Sequence, residues 1–247
     1  MCTLVLRLRP GSKWPVILAA NRDERVDRPW DPPGAYWPGQ PDVTGGRDRL
    51  GGGTWIAVNG HGVAAGVLNR QGSLGPAPGK RSRGELPLLA LAHRDANEAV
   101  SAMLKLDAGE WRSFNLVIAD RTGAVFLRGL GYGQPEAWPL QPGTHMVTAH
   151  DPDDFGSPRI ARHLPRFRAA SDPTPCDWNG WRDILSDRSG PAGSEINTPS
   201  REGFGTVCSS LLGIPARGEP FWLFAAGPPD MYPFRPVWLT SSQPSFA

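Results

Sequence analysis

Residues 1–24 read MCTLVLRLRP GSKWPVILAA NRDE. Two apolar runs of strand length, Thr3–Arg9 and Trp14–Ala20, flank the turn Pro10-Gly11-Ser12-Lys13, which predicts a β-hairpin. Pairing Arg9 with Trp14 sets Thr3 opposite Ala20 and Cys2 opposite Asn21. Side chains alternate along a strand, so Cys2, Leu4, Leu6 and Leu8 then share a face with Asn21, Ala19, Ile17 and Pro15. A thiol, a cation and a carboxylate therefore meet where the return strand ends in Asn21-Arg22-Asp23-Glu24.

Cys is small enough to permit removal of Met1, which would leave Cys2 with both a thiol and a free α-amine. The unperturbed amine has a pKa of about 7.7–8.0 and the thiol about 8.5. Near neutral pH such an amine accepts the thiol proton, and Arg22 favours the thiolate. The competing reading is a small apolar Cys that caps the first strand.

The composition sets bounds around this hairpin. The chain has 247 residues, 39% hydrophobic and 20% charged, with 10 Trp. That is enough for a substantial core in a single domain spanning 1–247. Gly 30 and Pro 27 indicate many turns between short strands. The net charge of +2 calls for no nucleic-acid partner. The three cysteines, Cys2, Cys176 and Cys208, are widely spaced, so neither a disulfide framework nor a metal site is expected, and a reducing, cytoplasmic setting is. No apolar run reaches membrane-spanning length. Neither oligomeric state nor a resident cofactor is signalled.

Further along, Arg25–Asp42 reads as an irregular loop over the hairpin, with Trp30, Tyr36 and Trp37 either roofing a pocket or pinning the loop. Gly51-Gly52-Gly53-Thr54-Trp55 enters a strand, so its glycines serve close backbone approach and not phosphate binding. Thr54–Val58 and Val63–Asn69 are predicted strands. Asn69-Arg70 repeats the polar strand end of Asn21-Arg22, either to hold an oxyanion or to open a loop. Gly72–Arg83 reads as a flexible basic loop. Helices are predicted at Gly84–Leu91, Ala96–Leu106, Arg159–Ala169 and Trp178–Arg188. Pro87 must lie in the first turn of its helix, which argues against a Ser82–Glu85 capping box. Arg159, Arg162 and Arg166 form either a solvated basic face or a seat for an acidic substrate tail. The remaining predicted strands are Phe114–Ala119, Ala124–Arg128, Met146–Ala149, Gly205–Ile214, Phe221–Ala226 and Val237–Thr240. Hairpins with helices inserted in pairs, and strands apolar on both faces, predict two antiparallel sheets each covered by helices, an α+β fold layered α/β/β/α.

Met1-Cys2-Thr3, Ala20-Asn21-Arg22-Asp23-Glu24 with Arg28-Pro29, and Gly52-Gly53-Thr54-Trp55 together resemble the NRDE family, also called the transport and Golgi organisation family. The likeness continues through Asn69, Arg83-Gly84-Glu85-Leu86, Phe114-Asn115-Leu116 and Phe204-Gly205-Thr206. That family is similar to the N-terminal nucleophile (Ntn) hydrolases, especially those that cleave penicillin V and conjugated bile salts. The resemblance implies amide hydrolysis of a small molecule, with Cys2 as nucleophile, Asp23 orienting its amine, Arg22 supporting the thiolate and Asn69 contributing to the oxyanion hole. Asn21, Glu24, Trp55, Arg70 and His150 complete the candidate substrate contacts. Two departures stand out. Thr148-Ala149-His150 replaces a Thr-Asn or Ser-Asn pair, and Gly205-Thr206-Val207 replaces Gly-Thr-Arg. The family's link to haem mobilisation adds an alternative, a non-catalytic carrier of haem or an acyl ligand.

Overall fold

The hairpin forms one residue out of the expected register. In the computed structural model, which describes residues 2–174 and 177–240, strands β1 (Thr3–Leu8) and β2 (Val16–Arg25) pair with Thr3 opposite Asn21 and Leu8 opposite Val16. Arg9 N–H closes the turn on the Pro15 carbonyl at 2.8 Å. Trp14 leaves the ladder and packs into the core on the helix side. Both faces of β2 are apolar because both are covered, so hydrophobic alternation does not choose between the registers. The choice still flips every β2 side chain. Val16, Leu18 and Ala20 share the inner face with Leu4, Leu6, Leu8 and Cys2, while Ile17 and Ala19 face the helices. The Asn-Arg-Asp-Glu segment lies inside β2 and not beyond its end.

Two antiparallel sheets stack around this hairpin. One has six strands in the order β10 (Gly143–Val147), β1, β2, β11 (Phe204–Ile214), β12 (Phe221–Ala225), β13 (Arg235–Val237). The other has seven, β3 (Trp30–Gly34), β4 (Thr44–Asp48), β5 (Ile56–Val58), β6 (Ala64–Asn69), β7 (Phe114–Asp120), β8 (Gly123–Gly129), β9 (Glu136–Pro139). Between them Leu4, Leu6, Leu18, Ile56, Leu68, Val117, Phe126 and Trp222 form a continuous apolar layer. The outer face of the second sheet is covered by α1 (Glu85–Leu91) and α2 (Ala96–Met103), through Leu86, Leu91, Met103, Phe114 and Ile118. The outer face of the first sheet is covered by α3 (Pro158–Ala169) and α4 (Asn179–Leu185), through Ile160, Leu164, Phe167, Trp181 and Leu211. The layering is α/β/β/α, as expected.

The differences are local. Arg25–Asp42 is not wholly irregular, because Trp30–Gly34 pairs with β4 as an edge strand despite Pro32 and Pro33, and prolines are tolerated at an edge. Trp30 packs edge-on against Trp55 and Phe224, while Tyr36 packs against Trp37, whose indole N–H donates to Gly52 O. The edge strand β9, only four residues long and ending in Pro139, is not expected from the sequence. The last strand is Arg235–Val237 and not Val237–Thr240. Helix α1 begins after Gly84 with no side-chain cap, and Pro87 falls in its first turn as expected. Gly72–Arg83 is pinned by arginines, with Arg112 Nη1 and Nη2 donating to Leu74 O and Gly72 O and Arg83 Nη1 donating to Ser73 O. Gly53 meets Gly84 so closely that a Cβ on Gly53 would sit 2.3 Å from the Gly84 carbonyl; Thr54 N–H donates to Gly84 O at 2.9 Å. Among the described residues no helix is long and apolar enough to cross a membrane.

Candidate active site

The ends of β2 and β6 converge on a cleft of about 660 Å³, and its lining includes Cys2, Arg22, Glu24, Asp48, Trp55 and Asn69. Cys2 is half-buried, with Sγ 3.5 Å from the backbone carbonyl of Asp23. The slipped register puts Arg22 beside Cys2 on the inner face, where the expected register put Asn21. The Arg22 guanidinium lies 4.2 Å from the Trp55 ring centroid, and its Nη2 is 3.3 Å from Asp48 Oδ2 and 3.7 Å from Glu24 Oε2. Its Nη1 is buried without a hydrogen-bond partner among the described residues. On the far side of Arg22, β11 places Cys208 opposite it. Burial pushes the Cys208 thiol up to about 12, so it stays protonated. Burial likewise raises the Cys2 thiol above its ordinary value; the Arg22 cation pulls the other way and is outweighed.

Asp23 projects to the opposite face of the sheet, toward α3. Arg159 Nη1 donates to its Oδ2 at 2.8 Å, Thr198 Oγ1 donates to Oδ2 at 2.9 Å, and Thr206 Oγ1 donates to Oδ1 at 2.7 Å. Burial opposes the Asp23 charge, but Arg159 and these hydrogen bonds hold the carboxyl below its ordinary range. The same Arg159 Nη1 donates to Thr3 Oγ1 at 3.0 Å, and so ties the residue after Cys2 to the network. Arg159 is thus buried and ion-paired, not part of a solvated basic face. Sequence reading missed it because it sits at the margin of the apolar stripe of α3, 136 residues from its carboxylate. Thr198, in a loop, and Thr206, on β11, lie 175 and 183 residues from Asp23, so local spacing does not tie them to it.

Asn69 ends β6 in the cleft, and its side-chain amide makes no hydrogen bond among the described residues, so its N–H groups are available. Trp55 and Glu24 line the same cleft. The structure does not bring Asn21, Arg70 or His150 to that work. Asn21 Nδ2 is committed to the carbonyls of Leu185 and Ile196 at 2.9 Å each. Arg70 and His150 lie in a separate depression of about 320 Å³. There Arg70 Nη1 is 2.6 Å from Asp151 Oδ1, and His150 Nδ1 is 3.2 Å from Asp154 Oδ2. Asn115, buried on β7, donates to the carbonyls of Thr148 and His150 at 2.9 and 2.7 Å, which fixes the backbone on either side of Ala149. Val207 occupies a bulge in β11 and packs with Cys208 and Phe224 against Trp30 and Trp55, so apolar contacts fill the place of the absent Arg. Among the described residues no group of three or more His, Cys, Asp or Glu side chains is placed to hold a metal ion. Met1 and Cys176 lie outside the described residues.

A family profile described as transport and Golgi organisation 2 matches residues 1–174. The chain belongs to this family. Solved structures of amidases and acylases share its fold. The N-acylethanolamine-hydrolyzing acid amidase ortholog of Caenorhabditis elegans superposes with a TM-score of 0.62 at 14% identity, over 87% of this chain and 94% of that one. Penicillin V acylase from Agrobacterium tumefaciens gives 0.58 at 17% identity, over 91% and 83%. A mutant of the conjugated bile acid hydrolase from Clostridium perfringens gives 0.52 at 9% identity, over 97% of each chain. At these identities the likeness is one of fold. No curated protein matches the chain in sequence.

Proposed function

We propose that this member of the transport and Golgi organisation 2 family is an amidohydrolase that uses Cys2 as an N-terminal nucleophile on the non-peptide C–N bond of a small acyl-amide. The observation that carries this reading is the meeting of Cys2, an unpartnered Arg22 Nη1 and an uncommitted Asn69 amide in one cleft of about 660 Å³. The fold shared with amidases supports it.

The chemistry runs in two halves. With Met1 removed, the Cys2 α-amine takes the thiol proton. Sγ attacks the acyl carbon, and the developing oxyanion is met by the Asn69 amide N–H. The C–N bond breaks, the amine leaves with the proton, and a thioester remains. Water then cleaves the C–S bond, releasing the acid and restoring the thiol; the sum is amide plus water to acid plus amine. Arg22 stabilises the thiolate. Asp23, charged and held by Arg159, orients the terminal backbone beside Cys2. The wide spacing of the cysteines supports a reducing, cytoplasmic setting.

A second reading, a non-catalytic carrier of haem or an acyl ligand, draws on the raised Cys2 thiol and on Ala149, which offers no side-chain donor. Assay of wild type and Cys2→Ala against a panel of N-acyl amides, with haem titrations in parallel, separates the two. Turnover by wild type that Cys2→Ala lowers by several orders of magnitude supports the hydrolase. No turnover of any amide, together with saturable haem binding that survives Cys2→Ala, replaces it with the carrier.

A further inference from the structure

The cleft around Cys2 is strongly cationic, and most of its cations are already paired. Arg28 Nε is 2.5 Å from Asp48 Oδ2, and Arg25 Nη2 is 2.7 Å from Asp27 Oδ2. Arg81 is ion-paired with both Glu85 and Glu110 at 2.7 Å. Two half-buried arginines in the lining, Arg83 and Arg112, have no carboxylate partner among the described residues. Each is fixed in place by carbonyl oxygens instead. Arg83 Nη1 donates to Ser73 O at 2.6 Å and to Ser113 O at 3.2 Å, and its Nη2 donates to Gly75 O at 3.2 Å. Arg112 Nη1 donates to Leu74 O at 2.7 Å, and its Nη2 donates to Gly72 O at 2.9 Å. In both side chains the Nε–H and one Nη2–H remain without a partner among the described residues. A guanidinium with donors to spare can receive a carboxylate.

We propose that the cleft selects acyl-amides that carry a carboxylate, seated on the spare donors of Arg83 and Arg112, as in an N-acyl amino acid. The inference rests on the hydrolase reading for the identity of the scissile bond. Two positive groups held rigidly by neutral carbonyls, with no anion of their own, are preorganised for an anionic guest and spare it the ordering cost. Burial, and then the neighbouring Arg112 charge, lower Arg83 to about 10, and a bound carboxylate relieves that unfavourable pairing of like charges. Arg83 and Cys2 line the same cleft.

The test uses a matched pair, N-dodecanoylglycine and N-dodecanoylethanolamine, which share the acyl chain and the amide and differ in the carboxylate. Binding is measured by calorimetry on Cys2→Ala, where no turnover intrudes, and kcat/KM on wild type. A charge-assisted contact corresponds to roughly a ten-fold or greater preference for the glycine conjugate at low salt. The preference should shrink markedly between 50 and 500 mM KCl, on the order of the screening expected at those ionic strengths. Arg83→Gln and Arg112→Gln should each move the ratio toward one. The salt series needs no variant, so it stands even where Arg83→Gln loosens the 72–83 loop. Equal binding of the two ligands, or a preference indifferent to both salt and the Gln variants, overturns the anion site. A salt-sensitive preference in binding with no turnover of either amide supports the anion site and overturns the hydrolase reading instead.

Discussion

Arg159 Nη1 lies 2.8 Å from Asp23 Oδ2, with the two side chains only 3% and 0% exposed. A pair this deep is expensive to break from one side, because the remaining charge is left in a medium that cannot solvate it. Arg159→Met is expected to destabilise the fold by about 3–5 kcal/mol, read as a shift in the urea midpoint. Asp23→Asn combined with Arg159→Met should cost less than the sum of the singles. The folded Asp23 carboxyl titrates below its ordinary value of 3.8, so its contribution is present above that pH and is lost as pH falls through the folded value. The stability gap between wild type and Asp23→Asn should therefore narrow as the pH drops below 4.

Cys2, though it lines the cleft, should react as a thiol with a raised pKa. Its ordinary value of 9.0 is raised by burial, so carboxamidomethylation by iodoacetamide is expected to be slow at pH 7 and to keep climbing beyond pH 9. Removing the opposing cation in Arg22→Gln should push the profile further upward. A labelling rate that levels off below pH 8 would show that the terminal amine or Arg22 dominates over burial.

Fully buried His163 provides a separate pH effect. Its Nε2 contacts Ser194 O at 2.8 Å and its Nδ1 contacts Arg166 Nη1 at 3.0 Å, which suits the neutral ring and leaves no room for a second proton. Burial holds it down at about 4. The unfolded chain binds a proton near 6.5 while the folded protein refuses it until about 4, so stability falls as pH drops across that window. The melting temperature should decline from pH 6.5 to 4, and His163→Gln should flatten the decline. An unchanged slope in the variant would assign the loss to other groups.

Gly53 should not tolerate a side chain. Its Cβ would meet the backbone of Gly84 at 2.3 Å, and neither chain can retreat without prying the 51–54 turn from the start of α1. Gly53→Ala is expected to cost about 1–3 kcal/mol. Gly39→Ala, which meets open space, is the control and should stay within about 0.5 kcal/mol.

Cys2→Ser should be nearly as inactive toward amides as Cys2→Ala. A hydroxyl needs a stronger base than an α-amine of pKa about 8 supplies. Turnover by the serine variant comparable to wild type would indicate a base not among the groups described around Cys2.

The chain by itself determined what depends on neighbours in sequence. The apolar runs and Pro10-Gly11 turn make a hairpin, Pro87 bars a cap at Ser82, Gly51-Gly52-Gly53 marks close backbone approach, and strands apolar on both faces call for two covered sheets. Cys2, Arg22, Glu24, Trp55 and Asn69, singled out from the hairpin and the family resemblance, line one cleft. Tertiary structure alone decided the register of β1 on β2. Both faces of β2 are covered by apolar layers, so either register buries the same kind of side chain. Yet the one-residue difference sends Arg22 to the cleft and Asn21 and Asp23 to the helices. Tertiary structure also decided which charges find partners. Arg159 meets Asp23 across 136 residues, and Arg70 is drawn away to Asp151. Among the described residues Arg83 and Arg112 meet no carboxylate, only carbonyls and the Ser73 hydroxyl. Such choices arise where a buried charge finds its counterpart, and sequence spacing carries no record of that distance.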